Sequence, residues 1–266
     1  MSSRQPIGLF DSGAGGISVW KEIAKQLPYE DTVYVSDNAN YPYGNKPAEE
    51  IIRLSDRVAR FLLEKRCKII VVACNTATAG AIDYLRKAHA SVSFVGMEPA
   101  VKPAVLSSKT GVVGILATAG TFKGRLFNET KERFASSVKI IEQVGEGLVE
   151  AVENRTENSD ETKQLLRSYI QPMLDKGIDH LVLGCTHYPF LTTQIQEITG
   201  DRITILDPAP AVAKQVKHLL EEKRLQSDGQ ITPTHHFYTT GNPTTVRTIL
   251  ASLQVKNYTV EEVAIL

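Results

Sequence analysis

The chain has 266 residues, 42% of them hydrophobic, with 30 basic and 30 acidic side chains and no formal net charge. That length suits one large domain or two ordinary ones, each with a core of its own. Balanced charge argues against a dedicated nucleic-acid or anionic-membrane binder.

The opening MSSRQPIGLFDSG lacks the apolar centre of a signal peptide, and no apolar run approaches the roughly 20 residues of a spanning helix. A cytoplasmic protein is therefore expected. Cys67, Cys74 and Cys185 do not make a disulfide framework in a chain this size, so each is expected to be a free thiol.

In chain order, β-branched runs predict strands over 7–10, 32–36, 68–73, 93–96, 111–117, 138–142, 180–184, 203–206 and 236–239. Helical spacing predicts helices over 48–65, 121–134, 161–176 and 212–222; in the first, Leu54, Val58, Phe61 and Leu62 share one face. Alternation of this kind predicts α/β layers on parallel sheets, with ligands bound where strands end and helices begin.

The chain also repeats itself. IGLFDSGAGG (7–16) parallels VGILATAGTF (113–122), and VVACNTATAG (71–80) parallels LVLGCTHYPF (181–190). Gly8 to Gly114 is an offset of 106 and Cys74 to Cys185 one of 111. The near-equal offsets predict a duplicated α/β domain. The segment after 207 is too long for two equal contiguous halves, which predicts a first domain of 1–97 plus 208–266 and a second of 98–207.

The polar residues fall at the predicted strand ends. Cys74 follows an apolar strand and precedes a helix-like stretch whose first amides would lower a thiol's pKa; Asn75 and Thr76 add hydrogen-bonding groups. A small buried hydrophobe is the alternative for a lone cysteine. Cys185 occupies the matching position, followed by Thr186, His187 and Pro189. His187 suits holding a proton, fixing a carboxylate or a structural hydrogen bond, and the absence of a second close Cys or His pair argues against zinc.

Cys67, between charged residues at a helix-to-strand junction, reads as structural. Asp11-Ser12-Gly13 ends the first strand, and Gly15-Gly16 permits close backbone approach. Asp11 would orient a thiol, receive an ammonium group or cap the next helix. Asp37 precedes the turn-like NYPYG (40–44), and Thr118 and Thr121 suit capping or carboxylate binding. Glu150 and Glu153 lie in GLVEAVEN, where solvated helix positions are the ordinary outcome.

Two thiols at equivalent strand ends would face each other across the cleft between duplicated domains. That arrangement suits removing a proton from one face of an amino-acid α-carbon and returning one to the other. A cysteine–histidine hydrolase is the enzymatic alternative, but it leaves one cysteine unexplained. A small-anion binding module is the non-enzymatic one.

Together, DSGAGG (11–16), PYG (42–44), ACNTATA (73–79), ATAGT (117–121), LVEAVE (148–153) and GCTHYP (184–189) resemble glutamate racemases of the cofactor-independent aspartate/glutamate racemase superfamily. The resemblance implies two pseudosymmetric, doubly wound parallel-sheet α/β domains with the active site in the interdomain cleft. It implies Cys74 and Cys185 as the acid/base pair, Cys74 working on D-glutamate and Cys185 on L-glutamate. Asp11 would assist Cys74; His187 and Glu153, rather than Glu150, would assist Cys185. Asp37 falls on an acidic position of the family near the site and is expected to belong to the catalytic group. Asp11, Ser12, Tyr43, Gly44, Asn75, Thr76, Thr118, Thr121, Thr186 and His187 fall on substrate-binding positions.

The resemblance further implies no cofactor or metal, a homodimer, and D-glutamate made for peptidoglycan synthesis in a bacterium. A different racemase specificity, for aspartate or a hydantoin, is the nearest rival within that class, and the CTHYP and CNTA pair resembles the glutamate branch. SDNANYPYG lacks the family's usual Gly-Asp lead, and VGEGLVEAVE lacks the proline that often precedes the glutamate.

Overall fold

The computed structural model describes residues 3–134 and 137–265, in which ten strands form two sheets. The strands are β1 (Ile7–Asp11), β2 (Thr32–Ser36), β3 (Ile69–Val72), β4 (Ser93–Gly96), β5 (Val112–Ala117), β6 (Lys139–Val144), β7 (His180–Gly184), β8 (Thr204–Leu206), β9 (His235–Thr239) and β10 (Tyr258–Glu262). The α-helices are α1 (Ile17–Gln26), α2 (Ala48–Glu64), α3 (Asn75–Ala88), α4 (Val101–Ser107), α5 (Ala119–Phe122), α6 (Arg125–Phe134), α7 (Leu148–Glu153), α8 (Asp160–Leu174), α9 (Thr192–Thr199), α10 (Ala209–Glu222) and α11 (Thr244–Ser252).

Sheet A runs β10-β9-β2-β1-β3-β4 and sheet B β6-β5-β7-β8, with every pairing parallel. Parallel strands need crossovers, and these cover both faces with helices. On sheet A, α1, α10 and α11 bury Ile17, Trp20, Val216 and Ile249 against one face. Helices α2 and α3 bury Leu54, Val58, Ala81 and Ile82 against the other. On sheet B, α7, α8 and α9 pack one face with Val152, Leu166, Ile170 and Ile195. Helices α4 and α6 cover the opposite face with Val101, Ala104 and Phe127.

The expected duplication is visible as topology. The order β2-β1-β3-β4 is reproduced as β6-β5-β7-β8, and β9 and β10 extend only sheet A. Register agrees as well: Gly8 pairs with Ile70, and Gly114 with Leu181. Those partners differ by 114 − 8 = 106 and 181 − 70 = 111, the offsets of the repeated motifs. The chain leaves sheet A after β4, builds sheet B, and returns through α10, which packs on α1.

All nine expected strands form, within two residues at each end. Strand β10 escaped the sequence because it is an edge strand with two glutamates and no fully buried residue. The helix expected over 121–134 is broken in two. At the break the Gly124 amide bonds back to the Thr121 carbonyl, and α6 starts anew at Arg125. Cys67 lies in the core beneath α2, where burial pushes its thiol up to about 12.

Candidate active site

In each half, the strand-order reversal lies between the first and third strands, β1/β3 in sheet A and β5/β7 in sheet B. Loops at the C-terminal ends of such strands diverge and leave a crevice. Asp11 ends β1 and Cys74 follows β3; Thr118 follows β5 and Cys185 follows β7. The two crevices meet in one small cavity of about 20 Å³. Ser12, Tyr43, Gly44, Cys74, Asn75, Thr76, Thr118, Cys185, Thr186 and His187 line it, together with Val149. Ten of the residues expected from the sequence therefore converge on one space.

The Cys74 thiol caps α3: its sulfur accepts from the Ala77 amide at 3.4 Å, with Ser12 Oγ 3.8 Å away. The expected lowering of its pKa does not result. Burial and then the charge of Asp11 push the thiol well above its ordinary value, and the Ala77 amide opposes them without prevailing. Cys74 accordingly rests as a neutral thiol.

Asp11 is fully buried and accepts from the Ser12 amide at 2.7 Å, the Gly16 amide at 2.6 Å and Thr186 Oγ at 3.0 Å. Burial nevertheless raises its carboxyl above the usual range, against the pull of His187, Cys74, Thr186 and the Gly16 amide. Thr186 thus joins the Cys185 loop to the Asp11 side of the site.

Around Cys185 the charges are arranged differently. His187 Nδ1 lies 3.8 Å from Cys185 Sγ, and His187 Nε2 lies 2.7 Å from Glu153 Oε1. Burial opposes a charged ring, yet Cys185 and Glu153 outweigh it and raise His187 well above its ordinary pKa. Burial likewise acts to raise Glu153, but His187, the Ala14 amide and Asn38 overcome it and hold the carboxyl below the usual range.

The pair is therefore imidazolium and carboxylate, with Nε2 donating to Glu153. The Gly15 amide, 3.2 Å from the same nitrogen, finds no lone pair there. Glu150 lines the larger neighbouring pocket of about 370 Å³ rather than meeting His187.

The remaining expected residues form the walls. Thr76, Thr118 and Thr121 are linked through their hydroxyls at 2.8 and 2.9 Å, which ties the start of α3 to the start of α5. Tyr43 donates to Asp37 at 2.6 Å, and Asp37 also receives Thr240 and Asn40. Asp37 thus stands behind Tyr43 and away from the sulfurs' immediate partners.

Asn75 is the exception to this saturation: both polar atoms of its buried side chain lack a protein partner. Such an amide is costly unless a ligand or water satisfies it.

Some participants were not legible in the sequence. The Ala14 amide donates to Glu153 at 2.6 Å, and Asn38 donates to its other oxygen at 3.0 Å. Tyr34 fixes the glycine turn through the Gly13 carbonyl at 2.8 Å. Backbone donors carry no side-chain signal, and Asn38 sat in a stretch that reads first as a turn. Among the described residues no group of His, Cys, Asp or Glu is arranged to hold a metal ion, and no helix is long and apolar enough to cross a membrane.

The Asp/Glu/Hydantoin racemase family model matches residues 7–216. A glutamate racemase of Herpetosiphon aurantiacus is 44% identical over 252 residues, covering 95% of this chain and 99% of the relative. A Bacillus anthracis glutamate racemase structure superposes with a TM-score of 0.88 at 32% identity, covering 98% of both chains. The Escherichia coli glutamate racemase, solved with L-glutamate and the activator UDP-MurNAc-Ala, gives a TM-score of 0.86 at 31% identity over 98% of this chain and 99% of that one. In sequence and in fold, this chain belongs to the Asp/Glu/Hydantoin racemase family, in its glutamate racemase branch.

Proposed function

We propose that the protein interconverts L- and D-glutamate by a cofactor-independent two-base mechanism, with Cys74 and Cys185 as the acid/base pair. One observation carries this reading: both thiols line a single cavity, each at the end of an equivalent strand and each with its own partner. Two groups on opposite sides of one α-carbon suffice to invert it.

The thiol acting as base removes the α-proton, and the opposite thiol delivers another to the far face. In the L-to-D direction Cys185 is the base and Cys74 the acid, and in the D-to-L direction the roles exchange. Each turnover therefore leaves the two thiols with their protonation exchanged. The His187–Glu153 pair assists Cys185, and Asp11 assists Cys74.

The unpartnered Asn75 amide, with Ser12, Gly44, Thr76, Thr118, Thr121 and Thr186, supplies donors and acceptors for the amino-acid carboxylates and ammonium. Asp37 holds Tyr43 in the wall. A cavity of about 20 Å³ holds about one water molecule. Glutamate therefore enters only as the 42–45 and 144–150 segments part, from the pocket of about 370 Å³ that they line.

The reading extends to a homodimer in the cytoplasm, where three free thiols stay reduced. It also extends to D-glutamate supplied for peptidoglycan synthesis. Support for that role is the activator bound to the E. coli relative, a UDP-linked muramyl compound.

Incubating the protein with L-glutamate and no added cofactor tests the proposal. Optical rotation decays to zero if it is right and stays constant if it is wrong. Parallel incubations with aspartate and with a hydantoin distinguish the neighbouring specificities of the family.

A further inference from the structure

Glu153 is 5% exposed and belongs to α7 beside sheet B, yet most of what holds its carboxylate comes from sheet A. Oε1 is taken by His187 at 2.7 Å and the Ala14 amide at 2.6 Å. Oε2 receives Asn38 Nδ2 at 3.0 Å. A buried carboxylate needs such donors to remain charged, and one with a free oxygen binds protons more strongly.

Asn38 is itself fixed. Its Oδ1 accepts from Ser36 Oγ at the end of β2, which leaves the amide hydrogens aimed at Glu153. The next residue, Ala39, donates its amide to Thr240 at 3.0 Å, and Thr240 donates in turn to Asp37 at 2.8 Å. The 37–40 loop is thereby pinned to the end of β9, a strand with no counterpart in sheet B.

We infer that Asn38 is a positioning residue for the Cys185 half of the site. Its amide fixes the Glu153 carboxylate that holds His187 against Cys185, and it leaves Cys74 untouched. This rests on the racemase reading only in taking Cys185 as an acid/base group. Without the Asn38 donor, Glu153 draws the His187 proton toward itself, and less positive charge faces the Cys185 sulfur. An aspartate at 38 keeps the shape but sets a second carboxylate against Glu153, with a larger effect in the same direction.

Iodoacetamide alkylation at neutral pH, read by mass spectrometry of the Cys74 and Cys185 peptides from the same molecules, separates positioning from general loosening. For Asn38→Ala the Cys185:Cys74 alkylation ratio falls about tenfold, the scale of one hydrogen bond to a charged group, and for Asn38→Asp it falls further. The racemisation kcat falls in step, with KM within about twofold.

An unchanged ratio in both variants, or equal changes at both thiols, overturns the inference. If Asn38→Ala fails to fold, the near-isosteric Asn38→Asp decides it. A wild-type protein that racemises nothing removes the proposed function, while the alkylation ratio still reports on Asn38.

Discussion

The two crevices share strand order and register but surround their cysteines with charge of opposite sign. Cys74 caps a helix of 14 residues and faces the Asp11 carboxyl. Cys185 is followed by a short 3-10 turn at Tyr188–Leu191 and faces the His187 imidazolium, which Glu153 holds charged. In the first half, burial and a like charge keep the proton on sulfur; in the second, the neighbour 3.8 Å from the sulfur is the His187 ring nitrogen Nδ1. Duplication supplied two equivalent positions, and divergence of the loops gave the two sulfurs different neighbours.

Breaking each half in turn tests whether both are needed. Cys74→Ser and Cys185→Ser are each expected to lower racemisation about 10³-fold or more, as removal of an acid/base group does. Near-full activity in either variant, followed by optical rotation, would mean that one thiol suffices.

A second pair of substitutions disturbs the halves through the backbone. At Gly16 a Cβ would lie 2.7 Å from the Asp11 Cβ and 3.0 Å from the Ala73 carbonyl oxygen; at Gly15 it would lie 2.3 Å from His187 Nδ1. Misplacement on this scale costs about 10²-fold in kcat. Peptide-resolved alkylation should change at Cys74 for Gly16→Ala and at Cys185 for Gly15→Ala. Equal changes at both sulfurs in both variants would show that the halves are mechanically one unit.

The smallest effect sharpens the comparison by its sign. Asp11 has a raised folded-state pKa, so its ionisation costs stability as pH rises from the unfolded value of about 4 through the folded one. Glu153 has a lowered one, so its contribution is full above the unfolded value of about 4.3 and is lost as pH falls through the folded value. Denaturant midpoints between acid and neutral pH should therefore move oppositely. Relative to wild type, Asp11→Asn gains stability as pH rises and Glu153→Gln loses it. Parallel slopes would contradict the opposed environments.

Much of this was legible in the sequence, for definable reasons. Buried parallel strands are continuous apolar runs, so β3 and β7 announced themselves, and the polar residues directly after them had to lie at the crevice. The repeat offsets anticipated the register of Gly8 and Gly114. What could not be read was electrostatic and long-range. The helix start at Cys74 suggested a lowered thiol pKa, but full burial beside Asp11 decides the sign. Nothing local joins Asn38 to Glu153 across 115 residues, or marks the Asn75 amide, among the residues lining the cavity, as left without a protein partner. The return of the chain to sheet A was expected from length alone, while the exposed edge strand β10 gave no pattern to find.

The most direct test of the two opposed thiols follows the label in the first product formed. Wild-type protein is incubated with protiated L-glutamate in deuterium oxide, and the enantiomers are separated at low conversion and examined at the α-carbon. Two opposed groups predict D-glutamate that carries solvent deuterium in nearly every molecule, while the remaining L-glutamate stays protiated. D-Glutamate that retains the original proton would mean that a single group moves it from one face to the other, and would contradict the two-thiol mechanism.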